Sequence, residues 1–386
     1  MTLFRKLIYP IKASLTLIII FLISIKSVFA QQLHDNKINN YHILEETKNL
    51  SHYKYSKNIL GNKLYCNISI NKDLIDHITK LIKVQNSLFN IKSRPYIIVF
   101  HHEQNSSLSG IVSKGKIVIK GDFNKDYANL LRVVAHELAH RYIGNMIFQK
   151  SDNNLVDKWF FEGFTEFIAI NSVFYSGIIN FDKYVEIINQ IITEFSKSPV
   201  KNINYSKLYM KNLLDYNVAI LNYNKGFLIA LIIDEIIKSD NNNKKSLTNL
   251  LQKVIINSAR KKYIFDNDLY HNVLKNFLSQ KSFEKVYKLN KKDYLINKLL
   301  PKTLHKYFLS SKTSYVYNFG FDFNQSLESM HITGVDENFS SYYNGLRNGQ
   351  MMKCYSFDYL NGLAIIRVID NQHKLRKIKY TGKKHK

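Results

Sequence analysis

The pattern His136-Glu137-x-x-His140 constrains this chain of 386 residues more than any other feature. Residues 133–139 are otherwise apolar, so the segment predicts a helix that is buried along most of its surface. Side chains four positions apart share one helix face, which places the two imidazoles about one turn apart. Burying both rings beside a carboxylate costs free energy unless they share a partner, and a zinc ion is the usual partner at this spacing. The alternative, an amphipathic helix with two surface histidines, fits an apolar segment poorly.

A third ligand and a catalytic base are predicted from neighbouring carboxylates. Glu137 follows the first histidine, so its carboxylate is directed beside the metal, where it can take a proton from the attacking water. A catalytic zinc needs one more protein ligand, and Glu162 is a carboxylate within the apolar segment 159–167. Glu166 lies one turn further on the same face. It either accepts a hydrogen bond from a ligating histidine or is an ordinary solvated residue.

These segments resemble the catalytic core of aminopeptidase-N-like and glycyl-aminopeptidase-like gluzincin metallopeptidases. The similarity runs from His136 through Gly144-Asn145 and continues in the Glu-Gly-Phe-Thr sequence that begins at Glu162. The resemblance implies that Glu162 is the third ligand and that each chain binds one Zn²⁺. The sequence Tyr223-Asn-Lys-Gly resembles the Tyr-x-Lys-Gly motif of these families. It implies that Tyr223 donates a hydrogen bond to the oxyanion of the tetrahedral intermediate, although most of the 26 Tyr residues must be packing residues.

The sequence departs from the families in two places. The gap between His140 and Glu162 is longer than in aminopeptidase N, and the polar residues 150–154 could absorb the excess. Aminopeptidases of this type hold the substrate amine with a Gly-x-Met-Glu-Asn motif or an equivalent, which this chain lacks. Gly110 lies in the candidate remnant of that edge strand, which can still pair with an extended peptide. Glu103 is the nearby acidic residue, either an amine anchor or a solvated carboxylate, so aminopeptidase specificity is not implied.

The chain divides into four predicted segments. Basic residues followed by the apolar run 13–25 and a small-residue cleavage site predict a signal peptide in residues 1–30, with a retained membrane anchor as the alternative. Residues 31–62 are polar and loosely ordered. Residues 63–308 predict a small mixed sheet followed by a mainly helical lobe, which the resemblance makes an α+β, thermolysin-like zinc peptidase domain. Residues 312–386 predict a small β-rich domain.

The helices are predicted from apolar periodicity, and one turn is predicted from residues that are typical of β-hairpins. The predicted helices are 73–88, 126–148, 158–174, 181–197, 223–238, 245–260 and 266–279. Asp122 or Asn124 is the expected cap of the histidine helix. Residues 110–120 predict a hairpin that turns at Lys114-Gly115.

The C-terminal segment resembles a PDZ domain. The similarity rests on Asn318-Phe-Gly-Phe, which resembles the loop that cradles a peptide C-terminus, and on Gly345-Leu-Arg-Asn-Gly. Glycyl-aminopeptidase-like enzymes also carry such a domain at their C-terminus. The resemblance implies either a groove that binds a peptide C-terminus by strand addition or a structural appendage.

The formal net charge of +25 comes mainly from Lys, since only eight residues are Arg and these are scattered. Nucleic-acid recognition favours Arg, and no nucleic-acid-binding motif is present, which excludes nucleic acid as the main partner. The charge predicts a solvated basic surface and leaves peripheral association with anionic surfaces open. Export would place Cys66 and Cys354 in an oxidising compartment, where they are either bridged or separate buried thiols.

The predicted function is that of an exported, periplasmic or secreted, zinc metallopeptidase acting on peptides or proteins. Aminopeptidase and endopeptidase specificity both stay open. The alternative is a catalytically inactive, peptidase-like binding protein that works through its PDZ-like domain. A zinc hydrolase with a non-peptide substrate is a third reading. The catalytic positions are all filled by competent residues, which favours an enzyme.

Overall fold

The computed structural model describes residues 50–91, 94–113, 115–147, 158–198, 216–259, 267–289, 296, 316–358 and 362–385. The predicted signal peptide, residues 1–30, and the predicted polar loop, residues 150–154, lie outside these residues. The chain forms two compact units, of which one comprises mainly residues 44–213 and 218–316 and the other mainly residues 317–383.

The larger unit contains a five-stranded mixed sheet with strand order β1-β2-β3-β5-β4. Its strands are β1 (Tyr55–Ile59), β2 (Asn62–Cys66), β3 (Ile97–His102), β4 (Ser109–Ser113) and β5 (Lys116–Gly121). Strand β3 is parallel to both β2 and β5, whereas β1 and β4 are antiparallel to their neighbours. Strands β4 and β5 pair antiparallel, which confirms the predicted hairpin, and β4 lies at the edge of the sheet. Strand β1 lies within the segment that was predicted to be polar and loosely ordered.

One apolar core joins the sheet to two helices, α1 (Lys72–Phe89) and α2 (Tyr127–Ala139). Helix α1 begins at the cap residue Asn71, whose side chain accepts a hydrogen bond from the Leu74 amide. Its buried face packs with the inward residues of β3 and β5, because alternate strand residues point to one side of the sheet. The buried residues of this core include Leu74, Ile78, Leu81, Ile98, Phe100, Ile117, Ile119, Leu130, Leu131, Val134 and Leu138. This packing holds the histidine helix against the sheet.

The described elements of the larger unit that follow α2 are helices, as predicted. Its helices are α3 (Lys158–Tyr175), α4 (Phe181–Lys197), α5 (Tyr216–Asp240), α6 (Leu247–Ala259), α7 (Asn267–Lys275) and α8 (Gln280–Tyr287). Helix α5 begins earlier than the predicted 223–238, and α7 ends earlier than the predicted 266–279. Within the described part of the chain, no helix has both the length and the apolar character that a bilayer crossing requires.

Two details of the histidine helix correct the sequence prediction. Helix α2 ends at Ala139 rather than near residue 148, because the chain turns at Gly144, where φ is +120°. Its cap is Asp126, whose side chain accepts a hydrogen bond from the Asn129 amide. Asp122, a predicted cap, instead accepts hydrogen bonds from the amides of Asn105 and Asn124.

The smaller unit is rich in short strands. It comprises β6 (Val316–Asn318), α9 (Phe323–Ser329), α10 (Ser340–Tyr343), β7 (Met351–Asp358), β8 (Leu363–Ile369), β9 (Leu375–Thr381) and β10 (Lys383–His385). Strands β7, β8 and β9 form an antiparallel sheet in that order, and β6 pairs with β10. Phe319 packs against Phe357 with ring centroids 4.5 Å apart. The described part of this unit is thus made mainly of short strands, and its PDZ-like character stays a prediction.

Candidate active site

His136, His140 and Glu162 form one group, in which the ligand atoms all lie within 4.8 Å of one another. Glu162 Oε2 is 3.3 Å from His136 Nε2 and 3.5 Å from His140 Nε2. Two imidazole nitrogens and one carboxylate oxygen are ligands that zinc prefers, and they leave a coordination position open. The structure therefore brings together the three residues that the sequence singled out as metal ligands.

The two histidines stay in register although α2 ends between them. His140 is the residue that follows the helix, and its φ of −59° and ψ of −15° keep the helical spacing from His136. The Nδ1 atom of His140 lies 2.9 Å from the carbonyl oxygen of Ile143, to which its N–H can donate. That carbonyl belongs to the turn at Gly144, so the turn that ends the helix also orients the ring. Orienting this N–H directs the opposite nitrogen, Nε2, toward Glu162.

Glu166 orients the other histidine, in the position that the sequence suggested for it. Its Oε2 atom lies 2.7 Å from His136 Nδ1, and the Glu166 side chain is buried. Its second oxygen, Oε1, accepts a hydrogen bond from Arg132 Nε. Arg132 was not predicted from the sequence, although it lies four residues before His136 on the same helix, a spacing at which side chains share a face.

The charges of this group favour a bound cation. Burial opposes protonation of His136, but hydrogen bonds to Glu162 and Glu166 outweigh it and raise its pKa to about 10. Burial also opposes ionisation of Glu166, but Arg132 and His136 lower its pKa to about 2. The pKa of Glu162 is held well below its usual value, because hydrogen bonds from both histidines outweigh its burial. The ionised carboxylates of Glu162 and Glu166 stabilise positive charge on the histidines between them. The same arrangement would stabilise a divalent metal ion.

Glu137 lies beside the metal group and against the edge strand of the sheet. Its side chain is buried, and burial raises its pKa. A β-carbon on Gly110 would lie 2.4 Å from Cγ and Oε1 of Glu137, so a larger residue at this position of β4 would collide with the Glu137 side chain. Gly110 is thus at the site. Glu103 instead forms an ion pair with Lys120 at 3.6 Å, with its side chain 48% exposed, so its carboxylate faces a lysine rather than the metal group.

Tyr223 completes the cluster from α5. Its ring stacks on that of His136 with centroids 5.5 Å apart, and its hydroxyl interacts with the carboxylate of Glu162. Burial, followed by the charges of Glu162 and Glu137, raises the pKa of Tyr223 well above its usual value, so the hydroxyl keeps its proton. An oriented, protonated phenol is suited to donate a hydrogen bond to developing negative charge.

The two helices that carry Glu162 and Tyr223 touch through their backbones. A β-carbon on Gly163 would lie 2.2 Å from Gly226 Cα, and one on Gly226 would lie 1.8 Å from the Trp159 carbonyl oxygen. Only glycine permits this approach. The glycines of the Glu-Gly-Phe and Tyr-x-Lys-Gly motifs therefore position the polar residues that precede them.

Part of this chain is similar to known proteins. Residues 117–287 match the Peptidase family M1 domain. Endoplasmic reticulum aminopeptidase 2 of Bos taurus is 25% identical over 152 residues, which cover 38% of this chain and 15% of that protein. The crystal structure of an aminopeptidase N family protein from Idiomarina loihiensis matches with a TM-score of 0.56 and 16% identity, covering 85% of this chain and 66% of that chain. Native yeast LTA4 hydrolase matches with a TM-score of 0.43 and 17% identity over 67% of this chain and 40% of that one.

Residues 117–287 therefore have the character of a Peptidase family M1 domain, as found in gluzincin metallopeptidases. This domain is aminopeptidase-N-like, in agreement with the bovine and Idiomarina relatives. The mixed sheet and helical lobe agree with this assignment, which confirms the resemblance stated from the sequence. The chain spans 15% of the bovine relative and 66% of the Idiomarina protein. Residues 312–386 lie outside the matched domain.

Proposed function

We propose that this chain is an active zinc-dependent metallopeptidase that hydrolyses peptide bonds with a metal-activated water. One observation carries the proposal: the His136-His140-Glu162 group lies next to both Glu137 and Tyr223 in a single, partly buried cluster. A metal group alone would be compatible with a structural site. A base and a hydrogen-bond donor beside it are the additional groups that hydrolysis needs.

Each residue has a defined task in this mechanism. His136, His140 and Glu162 would hold one Zn²⁺ per chain, which when bound polarises the scissile carbonyl and acidifies the attacking water. Glu137 accepts the proton of that water and passes it to the leaving amine, and its raised pKa suits both transfers. Tyr223 donates a hydrogen bond to the oxyanion.

The substrate of this mechanism is an extended peptide. Strand β4 lies at the sheet edge, and its residue Gly110 adjoins Glu137. Main-chain groups of an edge strand can pair with a peptide and align its scissile bond with the base. Two relatives have "aminopeptidase" in their names, but β4 carries no acidic residue to hold a substrate amine. Our proposal therefore covers peptide-bond hydrolysis and leaves the end specificity to experiment.

A defined peptide mixture tests the proposal. We expect the zinc-loaded protein to cleave peptides, chelation to abolish cleavage, and Glu137→Gln to keep one zinc while losing about 10³-fold or more in turnover. Repeating the digestion with acetylated N-termini separates an aminopeptidase, which loses all cleavage, from an endopeptidase. Wild-type turnover by Glu137→Gln would refute the mechanism. A zinc-loaded protein that cleaves nothing would favour the alternative of a peptidase-like binding protein.

Export is proposed from the N-terminal sequence. The basic residues and the apolar run 13–25 support cleavage after residue 30, which would place the protein in the periplasm or outside the cell. Cell fractionation and the N-terminal sequence of the mature protein test this. A cytoplasmic protein that retains residues 1–30 would contradict export, and a membrane-bound one would indicate an anchor.

The smaller unit is proposed to bind the C-terminus of a peptide, as its resemblance to PDZ domains suggests. Its short strands around Phe319 and Gly320 support this proposal, because Gly320 has a φ of +75° in a tight turn before α9. Binding of peptides with a free C-terminus, compared with their amidated forms, tests it. Equal affinity for both forms would leave the unit a structural appendage.

The same unit is proposed to associate with anionic membrane surfaces. On the outer face of its sheet Arg367 pairs in register with Lys377, and Ile365 with Lys379. These cations are exposed, and so is the neighbouring Leu375 at 64%. Lysines around apolar side chains suit the headgroup region of an anionic bilayer. Sedimentation with phosphatidylglycerol vesicles should be lost in a Lys377→Glu/Lys379→Glu protein and with phosphatidylcholine alone. Equal binding to both vesicles would contradict it.

A further inference from the structure

We propose that Arg132 is a positioning residue of the metal site: it fixes the carboxylate of Glu166, which in turn fixes the ring of His136. The inference rests on the proposed zinc site and adds to it a residue that no motif contains. Arg132 and His136 lie four residues apart on α2, and both contact Glu166 on α3.

The two contacts use different oxygens of one carboxylate. Arg132 Nε donates to Oε1, while Oε2 lies 2.7 Å from His136 Nδ1. The terminal torsion of a glutamate side chain has a broad distribution, so one hydrogen bond alone does not fix the carboxylate plane. A second hydrogen bond, to the other oxygen, fixes that plane. With Arg132 in place, Glu166 therefore accepts from His136 Nδ1 in one orientation, and His136 Nε2 is directed at Glu162.

Arg132 also compensates negative charge at the metal site. Glu137, Glu162 and Glu166 place carboxylates close to two imidazoles, and a divalent ion supplies two positive charges. Within the described part of the chain, Arg132 is the only Lys or Arg that forms an ion pair with one of these carboxylates. Its side chain is 32% exposed while that of Glu166 is 6% exposed, so it brings a charge from the surface to a buried group. A buried carboxylate without such a partner is unfavourable.

Zinc affinity measures this role apart from catalysis. Competition with a chromogenic chelator should show that Arg132→Gln weakens zinc binding about tenfold, as expected for a residue that orients a ligand's partner. The visible spectrum of the cobalt-substituted protein should shift in the same variant. Arg132→Lys should recover most of the affinity because it restores the charge. Arg376→Gln is the matched control, since Arg376 Nε contacts Asp370 in the same way in the smaller unit and should leave both readouts unchanged.

A double-mutant cycle shows whether Arg132 acts through Glu166. In a Glu166→Gln background, Arg132→Gln should weaken zinc binding by less than about twofold, because the link is already broken. A full tenfold effect in that background, or none in the wild type, would overturn the proposal. If circular dichroism shows Arg132→Gln to be unfolded, Arg132→Met, which keeps the apolar stem without a donor, decides: weakened zinc binding supports the role, and wild-type affinity refutes it. A wild-type protein that binds no zinc would instead refute the proposed function.

Discussion

Gly163 and Gly226 bring two helices into backbone contact: a β-carbon on Gly163 would lie 2.2 Å from the α-carbon of Gly226. Glu162 immediately precedes the first glycine, and Tyr223 lies just before the second. The contact therefore sets the distance between the proposed third zinc ligand and the proposed oxyanion donor. Residues far apart in sequence become one site because neither helix has a side chain at the point of contact.

Replacing Gly226 with alanine should destabilise the protein strongly. The added methyl group would meet the backbone of α3, which cannot move aside as a side chain can, so we expect a loss of about 3 kcal/mol in the free energy of unfolding. Gly177→Ala is a suitable control, because Gly177 has a φ of +70° and no atom within 4 Å of an added β-carbon. It should lose only about 1 kcal/mol from backbone strain. Equal losses in chemical denaturation would argue against the helix contact.

Tyr223→Phe should reduce kcat by about 100-fold or more without loss of zinc. The variant keeps the ring that stacks on His136 and removes only the hydroxyl that is proposed to donate to the oxyanion. Tyr127→Phe removes a hydroxyl that contacts His77 at 2.8 Å on the surface and should keep wild-type kinetics. A Tyr223→Phe enzyme in which KM rises and kcat is unchanged would assign Tyr223 to substrate binding instead.

Gly110→Ala should lower kcat while zinc binding is retained. The new β-carbon would displace the carboxylate of Glu137, and a misplacement of about 1 Å in a catalytic group can cost on the order of 100-fold. Gly115→Ala changes the turn of the same hairpin at a position with no atom within 4 Å, so it separates catalytic effects from strain in the hairpin. Steady-state kinetics and zinc content of both variants check this. If Gly110→Ala is as active as Gly115→Ala, the close approach of β4 does not determine the position of the Glu137 carboxylate.

The two cysteines should differ in their reaction with iodoacetamide. Burial raises the pKa of the Cys66 thiol to about 11, so it stays protonated and unreactive near pH 8, whereas Cys354 is exposed. Mass spectrometry of native protein at pH 8 should find the label on Cys354. The raised pKa also means that Cys66 favours the folded state below its ordinary pKa of 9.0, and that this preference is lost as the pH rises toward 11. Unfolded protein, as the control, should be labelled at both positions.

The helices could be predicted where sequence periodicity and a local cap agree. Helix α4 was predicted with its observed bounds, because its apolar stripe follows the cap residue Asn180. Helix α2 was predicted too long, because its end depends on the turn at Gly144 rather than on a change in apolar pattern. This error did not affect the spacing of the histidines.

The candidate site was predictable to the extent that its residues lie in local motifs. The three ligands, Glu137 and Tyr223 each have a characteristic local sequence, whereas Arg132 has none. Its partner Glu166 lies on another helix, so the ion pair exists only after α2 and α3 have packed. The ion pair between Glu103 and Lys120 was likewise not predictable, because the two residues meet only after the sheet has formed.

The two histidines are supported by different acceptors, a carboxylate for His136 and a backbone carbonyl for His140. A carboxylate increases the basicity of an imidazole more than an uncharged carbonyl does, so His136 should form the stronger bond to the metal. Zinc release should accordingly begin at His140, and the exchange rate should depend more on the turn at Gly144 than on the interior of α2.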